Sequence, residues 1–187
     1  MPGKRNLSEV LLKGAVASIA GGLAIKLLWE AGQRTLVAEN RRVPSPTTDV
    51  VRTLAARKGM ALTPSQEQAA AGAIYGATML AYGALYGIVQ SRFRPDPVAH
   101  GLLLAGIMYA ANFPSFGALP RLGILPSPRE QTAEETAIPI VAQAAYGLVT
   151  AYVFHALDRD RDALSHESFP PLPFLPPSRA MGQNLPP

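Results

Sequence analysis

The chain of 187 residues contains no cysteine, one tryptophan, three histidines and few charges. Without cysteine there is no disulfide framework, no thiolate nucleophile and no Cys-based zinc or iron–sulfur site. HExxH, Walker and Gly-x-Ser-x-Gly patterns are also missing, so no assembled catalytic site is legible and the chain reads as non-enzymatic. Charged residues make up 16% of the chain, below the usual quarter or so, and hydrophobic residues 48%. That balance excludes a disordered chain. The net charge of +4 is scattered through loops without aromatic interleaving, which excludes a nucleic-acid surface and points to lipid headgroups.

What is present is hydrophobicity gathered into blocks. A bilayer core of about 30 Å needs roughly 20 helical residues, so the length of charge-free runs is the test. Gln68 to Ser91 has no charge in 24 residues; Pro97 to Pro120 carries only His100, and Thr136 to Leu157 only His155. These runs are apolar or small all round, without the polar stripe that a soluble bundle needs. Near the N-terminus Lys13 and Lys26 bracket only twelve uncharged residues. Extending that helix from Val10 to Trp29 gives a crossing whose lysines reach the headgroups from near its ends. The fold class expected is all-α: an integral membrane protein with four transmembrane helices over 10–29, 68–91, 98–118 and 136–157, forming a domain of residues 1–157, followed by a Pro-rich extended tail over 158–187.

The joints carry their own signals. Thr63-Pro64-Ser65-Gln66 reads as a capping box opening the second span. Arg92, Arg94, Pro95 and Pro97 close it and predict a tight antiparallel hairpin with the third span, which should distort near Asn112-Phe113-Pro114. Between spans one and two, Thr48 to Ala55 predicts a short capped amphipathic helix ending near Gly59, with Val50, Val51 and Leu54 on one side, suited either to the membrane surface or to a solvated loop. The tail has seven prolines in its last eighteen residues and carries Phe169, Leu172, Phe174 and Leu175, a pattern suited to lying extended along a partner subunit. Lysine and arginine number eight on the side of the termini and nine on the other. The charges of the short Arg92 hairpin and the N-terminus hug the helix ends, which favours both termini in the cytoplasm.

Small residues recur at helical spacing. Gly14, Ser18 and Gly22 share a face of the first span, while Gly72 and Gly76, then Gly83 and Gly87, repeat the small-xxx-small pattern in the second. These seven are the expected helix-packing residues. Lys26 and Glu30, one turn apart beside Trp29, predict a membrane-edge ion pair. His100 and His155, toward the opposite side, are the candidate ligands for a haem or pigment, with an ordinary interfacial role as the plainer alternative.

The segment from Gly14 through Lys26-Leu27-Leu28-Trp29-Glu30 to Arg41-Arg42-Val43-Pro44-Ser45-Pro46 resembles the opening of the YagU-like inner-membrane proteins, and Leu119 to Ile124 with Ala145-Tyr146-Gly147 is similar to a later part of them. The chain departs from that pattern in its long first loop, in Gln143 where a histidine is expected, and in its tail. The resemblance implies a bacterial inner-membrane location and architecture more than a mechanism. A faint internal echo, Tyr75-Gly76 against Tyr146-Gly147, admits a duplicated hairpin.

Together these features predict a non-catalytic accessory or structural subunit of a larger membrane complex, with the lipid bilayer and other membrane subunits as partners and no cofactor required. The alternatives are a small transporter or channel component, with Lys26, Glu30 and Asn112 along a polar path, and a haem- or pigment-binding subunit of an electron-transfer or photosynthetic complex.

Overall fold

The computed structural model describes residues 6–43 and 45–166, with side chains to residue 159. Every regular element among them is helical: α1 (Leu7–Leu36), a 3-10 turn (Glu39–Arg41), α2 (Pro46–Arg57), α3 (Pro64–Phe93), α4 (Pro97–Asn112), α5 (Ala118–Arg121) and α6 (Ala133–His166). Three helices, α1, α3 and α6, are long and apolar enough to cross a membrane, compatible with an integral membrane protein. Their outward faces agree with that solvent. Leu12, Val16, Ile19, Leu23 and Leu27 form an exposed apolar stripe along α1, and large apolar side chains are exposed on α3, α4 and α6 as well. In water such a surface would associate; against lipid it is the required one.

Helix starts follow local chemistry. The Asn6 side chain accepts from the Ser8 amide, Thr63 and Gln66 complete the expected capping box, and the Asp96 carboxylate accepts from the Ala99 amide at 2.8 Å. The short loop helix begins earlier than its hydrophobic pattern indicates, because Ser45 is its N-cap and Pro46 its first residue. The proline-rich tail, with Phe169, Leu172, Phe174 and Leu175, lies outside the described residues.

The long helices run antiparallel to their chief neighbours, α3 against α1, α1 against α6 and α6 against α4, around a shared core that includes Met79, Tyr86, Leu104, Met108, Tyr146 and Phe154. At the α1–α3 seam every step of four residues along α1 is answered by a step of four back along α3. Val10 lies against Gly87, Gly14 against Gly83, Ser18 against Met79 and Gly22 against Tyr75. The contacts thus follow an i, i+4 row on both helices. At its tightest point a Cβ on Gly14 would overlap the Gly83 carbonyl, and one on Gly83 would overlap that of Gly14. An equivalent crossing joins α4 to α6, where Gly101 and Gly147 stand in the same mutual relation.

Two expectations are corrected. The Arg94–Asp96 turn is short, but α4 does not form a tight hairpin with α3: the two helices touch near the turn, and α4 packs chiefly on α6. Gly101 and Gly147 permit a closer backbone approach there than the side chains of α3 offer. The third apolar run is also not one helix over 98–118. It ends at Asn112, and Gly117 then folds back so closely on the helix end that a Cβ would lie 2.7 Å from the Asn112 carbonyl oxygen. Pro114 has no amide to continue the ladder.

Among the expected packing residues, Gly14, Ser18, Gly22, Gly83 and Gly87 lie in the α1–α3 seam, whereas Gly72 and Gly76 have open space where a Cβ would stand. Opposite effects are therefore expected from the same substitution. Gly83→Ala should destabilise by about 1–3 kcal/mol through overpacking, while Gly72→Ala should be neutral or stabilising by up to about 1 kcal/mol through helix propensity. Thermal unfolding in mild detergent compares the two; equal melting temperatures would refute the seam.

Candidate functional site

The most distinctive chemistry lies inside the helix bundle, where α1, α3 and α6 meet. Ser18 is completely buried and its hydroxyl donates to the Met79 carbonyl oxygen. A serine hydroxyl has one proton, so the contact between Ser18 Oγ and the Tyr146 hydroxyl, 2.9 Å, is donated by tyrosine. One turn along α1, the Tyr75 hydroxyl donates to the Gly22 carbonyl oxygen at 2.7 Å. Two further groups on α6 extend this polar line: Thr150 Oγ1 and Gln143 Oε1 are both buried without a hydrogen-bond partner among the described residues. Gln143, Tyr146 and Thr150 fall on one face of α6, spaced by three and four residues. The arrangement can hold hydroxyl and amide dipoles in an apolar surround, and its unpaired acceptors fit a bridging water or a polar ligand group.

Toward the α3–α4 turn, His100 lies stacked on Tyr86, with ring centroids 4.2 Å apart, and Phe154 meets Tyr86 edge-on at 5.5 Å. Gln90 holds the imidazole: its Oε1 is 2.8 Å from His100 Nδ1, and its Nε2 donates to the Pro95 carbonyl oxygen. With Nδ1 as the donor to that oxygen, Nε2 is the nitrogen left with a lone pair. Tyr86 Oη has no hydrogen-bond partner among the described residues. His155 is half-buried, further along α6. At the same end Lys13 is largely covered and pairs with Glu9 at 3.0 Å and Asp158 at 3.2 Å, tying α1 to α6.

At the opposite end the long first loop is clamped against the helices. Trp29 Nε1 donates to the Val43 carbonyl oxygen at 2.9 Å, and the Val43 amide donates to Gln33 Oε1 at 2.8 Å. Arg41 makes a forked pair with Glu135, at 2.6 and 2.7 Å, and also donates to the Glu130 carbonyl oxygen. That carboxylate raises the Arg41 guanidinium above its ordinary pKa, chiefly by the hydrogen bond and then by its charge. Below the clamp, Trp29, Phe113, Leu119 and Ile138 form a separate apolar cluster.

Lys26 and Glu30 lie on the exposed side of α1, 3.9 Å apart, and Glu30 is 3.8 Å from Arg34. Such exposed pairs contribute little to stability. Asn112 donates to the Met108 carbonyl oxygen of its own helix. The structure thus does not bring Lys26, Glu30 and Asn112 together around an interior path. The polar line on α6 escapes sequence reasoning because Gln143 and Thr150 each look ordinary; their shared face with Tyr146, inside a run without charge, is the signal that could have found them. No group of three His, Cys, Asp or Glu side chains suited to a metal occurs among the described residues.

Removing the Tyr146 hydroxyl with Tyr146→Phe should cost about 1 kcal/mol, since Ser18 keeps its acceptor on Met79. Gln143→Met should leave stability unchanged or raise it, since it removes a buried unpaired oxygen. Melting of the two variants in detergent tests the pair. Arg41→Gln should free the loop, and faster cleavage at Glu39 by a glutamate-specific protease is the expected readout.

Comparison of the chain with protein-family models, curated proteins and solved structures gives no match.

Proposed function

We propose that this protein is a non-catalytic accessory subunit that stabilises a larger membrane complex by docking a partner helix on α3. The observation that carries this reading is the division of α3 into two small-residue stretches. Gly83 and Gly87 are consumed inside the chain against α1, while Gly72 and Gly76 leave open space at the other end. In lipid, helix association rests on close packing, so an unused small-residue face is where another helix can approach. The four-span architecture belongs to the same proposal. α4 is short for a crossing, but it starts beside the Gln90 end of α3, and Phe113 just past its end lies 5.9 Å from Trp29 at the far end of α1. With four crossings both termini lie on one side, for which the cytoplasm of a bacterium is proposed. The YagU-like resemblance is consistent with that location.

The transporter or channel reading draws support from the buried Gln143 and Thr150 rather than from Lys26 and Glu30. Haem or pigment binding would depend on His100 Nε2 or His155, and an absorbance spectrum of the purified protein tests it directly.

Native electrophoresis with mass spectrometry of mildly solubilised membranes tests the subunit reading. Full-length protein should migrate in a large assembly, and Gly72→Leu with Gly76→Leu should release it as a folded single chain. A chain truncated after Asp162 separately tests the tail as a contact. Migration alone, or as a homo-oligomer indifferent to both changes, would sink the proposal.

A further inference from the structure

Between α2 and α3 lies an open groove of about 300 Å3, walled by Leu54, Ala55 and Met60 on one side and Ala70 and Ile74 on the other, with Lys58 at its edge. Its shape follows from how α2 ends. The Gly59 amide donates to the Ala56 carbonyl oxygen and the Met60 amide to that of Ala55, with Gly59 at φ +68°. This is a Schellman ending, which characteristically returns the residue after the glycine toward the last turn of the helix. Met60 is thereby folded back beside Ala55, and Lys58 joins the groove lining.

The groove's depth is set by α3. Ala70 and Ile74 belong to the charge-free run that begins at Gln68, while Glu67, one residue before it, pairs with Arg52 of α2 at 2.9 Å. The Arg52–Glu67 pair therefore marks the polar end of α3, just before the charge-free run that supplies the groove's α3 wall. Several cations at this end of the molecule have acidic partners: Arg52 has Asp49 and Glu67, Arg41 has Glu135, and Arg34 has Glu30. Arg57 and Lys58 are exposed, and neither has an acidic partner among the described residues.

A partner helix is a poor occupant. Helices in lipid dock on small-residue faces, and of the groove's lining residues only Ala55 and Ala70 are small. A single hydrocarbon chain fits the apolar walls, and a negative group fits the exposed Lys58, whose neighbour in sequence, Arg57, is exposed as well. We propose that the α2–α3 groove binds an anionic phospholipid, with one acyl chain along Leu54, Ala70 and Ile74 and the phosphate at Arg57 and Lys58. The site is independent of the subunit reading, because it lies wholly within one chain.

The test uses the purified full-length chain in mild detergent, with phosphatidylglycerol and phosphatidylcholine of matched acyl chains, read by native mass spectrometry and by the shift in melting temperature. Phosphatidylglycerol should be retained at least tenfold better and should raise the melting temperature more. Arg57→Gln with Lys58→Gln should remove the preference, and Ala70→Phe should lower retention by filling the groove with the charges intact. Arg121→Gln with Arg129→Gln, two exposed cations elsewhere, should leave the preference unchanged. Glycerol phosphate, the headgroup fragment without a chain, should not stabilise. Equal retention of the two lipids by the unaltered protein would overturn the proposal whatever the variants do. Loss of preference in the Arg121 and Arg129 variant, or stabilisation by glycerol phosphate alone, would overturn it as well.

Discussion

The approach of two backbones without side chains between them is the constraint on which this structure depends. At Gly14 and Gly83, and again at Gly101 and Gly147, each glycine occupies the place where its partner's Cβ would stand. In water such contacts would be minor beside hydrophobic burial. In lipid the tails are as apolar as leucine, so contact and hydrogen bonding between helices take over. These two crossings fasten α3 to α1 and α4 to α6, and the long antiparallel contact of α1 with α6 joins the two pairs around one core.

The polar residues follow from that framework. Because the α1–α3 seam brings the helices close at Gly14, Ser18 one turn on can reach across to the Met79 carbonyl oxygen, and Tyr146 can reach Ser18 from the other side. One serine thus links three helices at mid-depth. The two ends are closed differently: by the charged group around Lys13 on one side, and on the other by a folded loop in which Trp29, Gln33, Arg41 and Glu135 serve as anchors. The Gly72–Gly76 stretch and the α2–α3 groove lie outside these contacts.

Much of this was legible in the chain. The capping box at Thr63, a disturbance of the third helix near Pro114 and the small-residue face of the first helix are local patterns, read from neighbouring residues, although that the third helix ends outright at Asn112 was not. The candidate site was less legible. Small-xxx-small spacing marks a face able to pack, yet it does not say which of two such stretches finds a partner within the chain. Lys26, Glu30 and Asn112 attract notice as polar residues near the membrane, but the first two turn outward and the third bonds its own helix. Gln143, Thr150 and Arg41 attract none, and they matter only through groups distant in sequence.

The sequence by itself determined the class of the protein: runs of apolar residues long enough for lipid, bounded by caps, prolines and basic residues, because the bilayer requires every backbone group in its core to be satisfied within a helix. Tertiary structure decided the neighbours. That α4 leaves α3 for α6, that Tyr146 meets Ser18 across 128 positions, and that Arg41 finds Glu135 across 94 are outcomes of shape complementarity between whole helices. No local pattern encodes them, because a glycine offers the same open face to every helix and only the packed ensemble selects the one that fills it.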